Sequence, residues 1–304
     1  MAYRPRRRSA SRFASVRGLK GHLRVWEAPA GRPVVMIHGG RDASATFQFL
    51  VDGMSNTWHV MAPDLRGHGL SAPAPDLYWF QDYLADLDAW LDLISPEVPA
   101  VLLGHSLGGN IACAYAGVRP ERVSHLISLD GFGLPDRAAE DAPRHLARWL
   151  DSLRTSPAER VYPDHAALAD RLMQANPRLE RAKALFLAEH VSRPAPGGCA
   201  FAFDPAHRRP FAPLFRRAEW LATLAAIRAP TLWIGSATPF PPGLAAEEGG
   251  IAARLAAIPD ARFVRIPGSG HNLHHEAPDA LAVLIESFLA AVGPTSAAYV
   301  GDPA

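Results

Sequence analysis

The sequence predicts an α/β domain in which helices cover both faces of a mostly parallel central sheet, with a helical cap insertion set into the chain. The first observation is that short apolar runs alternate with longer segments of helical periodicity, a pattern typical of a parallel sheet covered on both faces. The second is a break in this alternation between about residues 135 and 220. The third is size, because 304 residues with a hydrophobic content of 48% can bury one large core.

Strands are predicted at the apolar runs, which are HLRVWEA, RPVVMIH, TWHVMAPD, PAVLLGHS, SHLISLDG, PTLWIGS and ARFVRIPGSGH. Between them, apolar residues recur at helical spacing and predict helices over 80–94, 110–118 and 281–291. In open parallel sheets the functional groups gather at the carboxyl ends of the strands. The residues that directly follow these runs are therefore the candidates for chemistry.

The chain is predicted to consist of a core with an insertion and two loose ends. The core spans 19–134 and 221–292, and the helical insertion spans 135–220. The insertion contains Pro- and Gly-rich joints, SRPAPGG and DPAHRRPFAP, and is expected to lie over the strand ends as a cap. The basic arm 1–18 and the tail 293–304 are expected to lack regular structure.

Charge and cysteine usage limit the partners of the protein. With 31 basic and 30 acidic residues, the chain has no overall field that would attract nucleic acid or an anionic membrane. Its apolar runs are far shorter than the roughly 18 residues that suggest a membrane span. Two cysteines without metal-ligand spacing indicate a reducing compartment. We therefore predict a cytoplasmic protein without a metal, a cofactor, a nucleic-acid partner or a membrane partner, and its oligomeric state stays open.

The strongest motif is LLGHSLGGN, in which Ser106 lies within Gly-x-Ser-x-Gly. A predicted strand precedes it and a predicted helix follows it. In this context the glycines permit a tight, strained turn, the nucleophile elbow, that exposes the serine hydroxyl above the sheet. The motif predicts a nucleophile, and the alternative is an ordinary glycine-rich turn between a strand and a helix.

Further stretches of the sequence accompany this motif, namely VVMIHGG, VMAPDLRGHGLSAP and IPGSGHNLHHEAP. Together they make the chain resemble the α/β-hydrolase fold enzymes over about residues 20 to 290. The resemblance implies an oxyanion hole formed by the backbone N–H groups of Gly40 and Leu107. It also implies that Asp64, Arg66 and His68 order a loop and take no direct part in the chemistry.

A serine hydroxyl needs a neighbouring base to become a good nucleophile. His271 follows the last predicted strand through the turn PGSG, and the resemblance places the catalytic histidine at this position. His274 and His275 lie three and four residues further on and are the main competitors. His105, inside the elbow, is expected to be structural.

The acid is less obvious from the sequence. In the commonest arrangement of the family it stands three residues after the glycine of PTLWIGS, and that position holds Thr238. A threonine cannot stabilise an imidazolium as a carboxylate does. Glu247 and Glu248 lie nearby and are expected to open the next helix, where negative charge suits the dipole.

The preceding strand ends in LISLDGFGLP and places Asp130 at its carboxyl end. Some α/β-hydrolase relatives carry their acid after this earlier strand, so the resemblance implies a triad of Ser106, Asp130 and His271 in the usual chain order. Two alternatives stay open. Asp130 could instead order the turn into the insertion, or the acid could follow the later strand.

These features together predict a cofactor-independent serine hydrolase that cleaves a carboxylic ester of a small-molecule acyl substrate through an acyl-enzyme. Hydrolysis of a thioester, lactone, amide or carbon–carbon bond is an alternative, as is a ligand-binding protein without turnover. Arg41, Phe132 and Leu134 are predicted pocket residues. Further candidates for the pocket are aromatic residues of the insertion, namely Trp149, Phe186, Phe201 and Phe203.

Overall fold

A computed structural model describes residues 3–28, 31–75, 77–237, 240–241, 243–246 and 250–291. Its central sheet has eight strands in the order β1-β2-β4-β3-β5-β6-β10-β11. They are β1 (Ala10–Val16), β2 (Leu19–Trp26), β3 (Arg32–Ile37), β4 (Trp58–Pro63), β5 (Ala100–His105), β6 (Val123–Leu129), β10 (Thr231–Gly235) and β11 (Ala261–Arg265). All pairs from β4 to β11 are parallel, whereas β2 is antiparallel to both of its neighbours. The mostly parallel sheet is thereby confirmed.

The described helices are α1 (Gln48–Gly53), α2 (Phe80–Ile94), α3 (Leu107–Val118), α4 (Ala142–Leu153), α5 (His165–Ala175), α6 (Arg181–His190), α7 (Arg217–Ala225), α8 (Gly243–Ala246), α9 (Gly250–Ala257), α10 (Leu273–Glu276) and α11 (Pro278–Ala291). Short 3₁₀ turns occupy Ser44–Phe47, Pro120–Arg122, Ala139–Asp141 and Pro205–Arg208. None of the helices in the described ranges is long and apolar enough to cross a membrane.

Helices cover both faces of the sheet because successive residues of a strand point to opposite sides. On β3, Val35 and Ile37 pack into the apolar cluster that contains α2, α3 and α7. Val34 and Met36, on the other face, pack into the cluster that contains α1, α10 and α11. Because helices cover both faces of the sheet, nearly every residue of a central strand is buried, which explains the near-continuous apolar runs in the sequence.

The basic arm differs from its expected lack of structure. Residues 10–16 form β1, which pairs with β2 from Ala10 opposite Val25 to Val16 opposite Leu19. The arm is also anchored upstream, where the Asp52 carboxylate accepts hydrogen bonds from the Tyr3 hydroxyl at 2.6 Å and the Arg7 backbone N–H at 2.8 Å. An edge strand tolerates polar and charged residues on its exposed side, which is why its composition resembled that of a solvated segment.

The segment 135–220 contains α4, α5 and α6 and also a small antiparallel sheet that was not predicted. The strands of this sheet are β7 (Val161–Tyr162), β8 (Ser192–Ala195) and β9 (Gly198–Phe201), in the order β7-β9-β8. The insertion also ends earlier than expected, because Trp220 and Leu224 of α7 pack into the main core. The predicted tail 293–304 lies outside the described residues.

Candidate active site

The turn between β5 and α3 holds Ser106 in a strained conformation. Its φ is 53° and its ψ is −116°, a region that a residue with a side chain adopts only when the surroundings enforce it. A Cβ added at Gly108 would collide with the backbone oxygen of Ile37, and one added at Gly104 would collide with the backbone of Gly108. The two glycines of the motif are therefore required by close backbone approach, and the turn places the Ser106 hydroxyl at the carboxyl end of β5.

Three side chains from separate parts of the chain form one line of hydrogen bonds. The Ser106 Oγ lies 2.9 Å from Nε2 of His271. The opposite ring nitrogen of His271, Nδ1, lies 2.7 Å from Oδ2 of Asp130. When Nδ1–H donates to the carboxylate, the Nε2 lone pair faces the serine hydroxyl and can accept its proton.

Asp130 is 2% exposed and adopts a φ of 52° at the end of β6. Its backbone N–H donates to the carbonyl of Ile234 at 2.8 Å. Ser236, directly after β10, donates to the Asp130 carboxylate twice, from its backbone N–H at 3.0 Å and from its hydroxyl at 2.9 Å. The parallel pairing of β6 with β10 thus brings the two strand ends together, and the Asp130 carboxylate is hydrogen-bonded by both Ser236 and His271.

Ser236 is a site residue that the sequence analysis did not identify as such. The signal for it in the sequence is a hydrogen-bonding side chain directly after a strand that pairs with β6. The other candidates at this strand end, Thr238, Glu247 and Glu248, lie outside the described residues.

The backbone around Gly40 faces the start of α3. A Cβ built on Gly40 would lie 3.5 Å from Cδ2 of Leu107, and both residues line the same cavity as Ser106 and His271. Leu107 is the first residue of α3, and N–H groups in the first turn of a helix have no acceptor within the helix. The positive end of the helix dipole also lies here. This part of the site is suited to hold negative charge on a substrate oxygen.

His274 and His275 are both buried, and neither hydrogen-bonds the Ser106 hydroxyl in the part of the chain that the structure describes. Burial lowers the pKa of His274 well below its ordinary value, and burial, followed by the charge of Lys183, lowers that of His275 to about 3. The Lys183 ammonium donates to the backbone oxygen of His275 at 3.0 Å. Within the described chain, His271 is the histidine that contacts the Ser106 hydroxyl.

His105 supports the loop that carries His271. Its Nε2 donates to the backbone oxygen of His271 at 2.8 Å, and the two rings lie 4.8 Å apart. Burial lowers the pKa of His105 well below its ordinary value, and the nearby His271 lowers it further. A neutral, buried imidazole at this position holds the His271 backbone without adding charge beside the triad.

The loop after β4 is ordered around the buried carboxylate of Asp64. This carboxylate accepts hydrogen bonds from the Ser44 N–H at 2.7 Å, from His22 Nδ1 at 2.7 Å and from the Leu70 N–H at 2.9 Å. Burial by itself raises the pKa of Asp64, but the hydrogen bond and charge of His22 and the neighbouring donors hold it well below its usual range. Asp64 therefore stabilises the folded loop as an anion.

Arg66 and His68 connect this loop to its surroundings. The guanidinium of Arg66 binds the Asp86 carboxylate through two nitrogens, at 2.6 and 2.5 Å. His68 Nε2 accepts a hydrogen bond at 3.0 Å from the backbone N–H of Arg41, the residue that follows Gly40. The contacts of these residues order the loops beside the site, as the resemblance implied.

Replacing Asp64 with alanine is expected to lower the free energy of unfolding by about 3 to 5 kcal/mol, because buried donors including His22 would lose their acceptor. Since the folded-state pKa is depressed, the contribution is present above pH ~4 and is lost as pH falls through the lowered pKa. Urea unfolding of both proteins at pH 7 measures the loss. The exposed control Asp151→Ala should change stability by less than about 0.5 kcal/mol, and an equally small effect of Asp64→Ala would contradict the prediction.

A cavity of about 700 Å³ opens onto the Ser106 hydroxyl. The core contributes Arg41 to its wall, and Leu134 lies where the chain enters the insertion. Further apolar lining comes from the core and from aliphatic and aromatic residues of the insertion, the latter being Leu172, Leu179, Leu187, Phe211, Leu214 and Phe215. The cavity is therefore apolar over much of its wall and polar at the serine.

The predicted pocket residue Phe132 does not line this cavity. It is 1% exposed and stacks on Trp233 of β10 with ring centroids 4.8 Å apart. A fully buried aromatic ring removes more apolar area from water than a ring on a pocket wall. The insertion aromatics predicted for the pocket also lie elsewhere, since Phe186 packs in the core of the insertion and Trp149 packs near Trp79.

The sequence model of the family described as alpha/beta hydrolase fold matches residues 32–278. A serine hydrolase-like protein of Danio rerio is 34% identical over 194 residues, which cover 60% of this chain and 59% of that protein. A cis-3-alkyl-4-alkyloxetan-2-one decarboxylase of Shewanella oneidensis is 35% identical over 125 residues, 40% of this chain and 38% of that protein. The solved thioesterase domain from the curacin biosynthetic pathway superposes with a TM-score of 0.82 at 29% identity, covering 92% of this chain and 99% of that one.

The matched part of the chain spans less than two thirds of the length of both relatives, 59% and 38%. The family match, in contrast, runs from the first residue of β3 through α10 to the start of α11. It therefore includes the elbow, the end of β6 and the loop that carries His271. The sheet order, the turn at Ser106 and this match agree, and the chain belongs to the α/β-hydrolase fold family.

Proposed function

We propose that the protein is a serine hydrolase that cleaves a carboxylic ester through an acyl-enzyme, with Ser106, His271 and Asp130 as its catalytic triad. The observation that carries this proposal is the line of hydrogen bonds from Asp130 through His271 to Ser106, at 2.7 and 2.9 Å. Distances of this length allow proton transfer between the serine and the imidazole. The triad uses an acid that follows β6, the sixth strand.

In the acylation step, His271 takes the proton of the Ser106 hydroxyl as its oxygen attacks the ester carbonyl. The imidazolium that forms is stabilised by the buried Asp130 carboxylate, which stays ionised. Collapse of the tetrahedral intermediate breaks the bond to the alcohol oxygen, and His271 donates its proton to that leaving group. The acyl group is then bonded to the Ser106 oxygen.

The backbone N–H groups of Gly40 and Leu107 are proposed as the oxyanion hole. Leu107 begins α3 and the Gly40 backbone faces it from the loop after β3. This arrangement supports the role, because fixed donors need little reorganisation as charge develops on the carbonyl oxygen. Each such donor can contribute about 3 kcal/mol to stabilising the transition state. In the deacylation step, His271 activates a water molecule, which attacks the acyl carbon and releases the acid.

We further propose that the segment from Pro135 to about residue 216 is a cap that shapes the substrate cavity. Leu172 of α5, Leu187 of α6 and Leu179 in the turn between these helices line the same cavity as Ser106. A small-molecule substrate with a sizeable apolar group fits such a wall. The two cysteines are free and buried, which supports a reducing, cytoplasmic location.

Thioester hydrolysis is the second candidate function. It is favoured by the similarity over 92% of this chain to a thioesterase domain, and the same triad and oxyanion donors would serve it. A binding protein without turnover is the candidate from another class. The short contact between Ser106 and His271 weighs against it, because it is the arrangement that activates a serine.

The test is to label the protein with a fluorophosphonate probe and to measure turnover of chromogenic esters with increasing acyl length. We expect labelling at Ser106, and kcat/KM that rises from acetyl to mid-length chains by up to about fourfold for each buried methylene. Acyl thioesters of the same lengths, assayed in parallel, decide between the two hydrolytic candidates. A folded protein that neither reacts with the probe nor turns over any substrate would support the binding protein instead.

A further inference from the structure

A second group of polar side chains lies next to the triad, and the proposed function assigns no joint role to its members. It comprises Asp42, His105 and His274, which we name the Asp42 cluster. Each residue offers one ligand atom, and these atoms all lie within 4.8 Å of one another. Asp42 precedes the 3₁₀ turn Ser44–Phe47, His105 ends β5 and His274 lies on α10. The fold thus brings three distant segments together at one point.

His105, one member of the cluster, carries a free lone pair on one ring nitrogen. Because its Nε2 carries the proton that is donated to the His271 backbone oxygen, its Nδ1 is unprotonated. This Nδ1 is buried and has no hydrogen-bond partner among the described residues, and the whole residue is only 3% exposed. An unprotonated, unpartnered imidazole nitrogen is the form in which histidine binds a metal.

His274 is 0% exposed, and in the described part of the chain neither of its ring nitrogens has a hydrogen-bond partner. Its Nε2 lies 3.9 Å from Oδ2 of Asp42, which is too long for a hydrogen bond. Buried polar groups of proteins are nearly always satisfied, and leaving them unpaired costs free energy. An ion bound between His274 and the Asp42 carboxylate would satisfy one of these nitrogens.

Two imidazoles and one carboxylate are a ligand set suited to zinc and related divalent transition metals. Around a tetrahedral zinc ion with bonds of about 2.0 to 2.2 Å, ligand atoms stand roughly 3.4 Å apart. Ligands that start within 4.8 Å of one another reach this geometry through small side-chain rotations. Asp42 and His105 also line the substrate cavity, which gives an ion a path from solvent.

We propose that Asp42, His105 and His274 form a binding site for a divalent transition-metal ion, and that the bound ion inhibits hydrolysis. The His105 ring lies 4.8 Å from the His271 ring, measured between centroids. A cation bound to His105 therefore adds positive charge close to the imidazolium that must form on His271 during the reaction. Like charges at such a distance disfavour the charged form. The ion thus acts from beside the triad, without replacing any of its members.

The test uses metal-stripped protein without a polyhistidine tag, equilibrium dialysis against Zn²⁺, and visible absorption of Co²⁺. We expect one bound equivalent in the wild type. Asp42→Asn and His274→Asn should each weaken binding by at least about 10- to 100-fold, the loss typical even of residues that merely support metal ligands. Zn²⁺ inhibition should weaken in parallel. The matched control His165→Gln removes an exposed histidine at the start of α5 and should bind as the wild type does.

His271→Ala separates this site from direct binding at the triad, because it keeps the backbone oxygen that His105 contacts. Binding should persist in this variant. The proposal is overturned if the wild type binds no ion, if a folded Asp42→Asn protein binds as tightly as the wild type, or if binding is lost in His271→Ala. If His274→Asn does not fold, Asp42→Asn decides. Dialysis counts bound ions independently of turnover, so the result is distinct from failure of the proposed hydrolase function.

Discussion

Replacing Ser106 with alanine is expected to lower kcat for ester hydrolysis by about 10⁶-fold, the loss typical of removing a catalytic serine. The change deletes the attacking oxygen and little else, because the turn is held by the close approach of Gly104 and Gly108 to their neighbours. The variant should therefore unfold at the same denaturant concentration as the wild type. Steady-state kinetics with a chromogenic ester, together with urea unfolding, measure both parts of this result.

The control is Ser55→Ala, which removes an exposed hydroxyl that contacts only Thr57 among the described residues. It should leave kcat unchanged. His271→Ala should lose nearly as much activity as Ser106→Ala, and the double variant should lose no more than either, because the two residues act as one unit. Substantial turnover by purified Ser106→Ala protein would move the chemistry to another site.

Asp130→Asn is expected to reduce kcat by up to about 10⁴-fold while the protein remains folded. An asparagine keeps the size of the side chain, and its amide oxygen can still accept the hydrogen bond that the Ser236 N–H now donates to Asp130 at 3.0 Å. It has no charge to stabilise the His271 imidazolium, and its amide can hold the ring in the wrong tautomer. The pH dependence of kcat/KM, measured for both proteins, reports the expected change at the base.

Two further variants serve as comparisons for Asp130→Asn. Ser236→Ala removes one neutral hydrogen bond to the carboxylate and should cost far less activity than Asp130→Asn. Asp136→Asn, at an exposed aspartate whose carboxylate accepts from the Arg217 N–H at 2.9 Å, should leave kcat unchanged. A fully active Asp130→Asn enzyme would show that the acid lies elsewhere, with Glu247 and Glu248 as the carboxylates to replace next.

The features that depend on local geometry could be predicted from the sequence. The apolar strands were recognisable because a strand covered on both faces has no polar side. The elbow was recognisable because Gly104 and Gly108 have no room for a side chain. His271 could be chosen over its neighbours only through a resemblance, since spacing along the chain does not show which ring faces the serine. In the structure His274 and His275 point into buried surroundings.

Features that depend on partners distant in the chain were decided by the tertiary structure. The sequence of residues 10–16 resembles that of a solvated arm, but in the structure these residues pair with β2, which satisfies their backbone hydrogen bonds. The sequence likewise suggests Phe132 as a pocket residue, but its ring stacks on Trp233. The position of the Asp130 carboxylate follows from the pairing of β6 with β10, which places it between Ser236 and His271.

The Asp42 cluster shows the same division most clearly. Its members stand at positions 42, 105 and 274, and no spacing within the sequence relates them. The sequence by itself determined the family, the elbow and the candidates for the base and the acid, because these follow from local pattern and close backbone contact. Only the tertiary structure decided which carboxylate meets His271 and which buried histidines lack a partner, because burial and hydrogen bonding depend on residues that folding brings together.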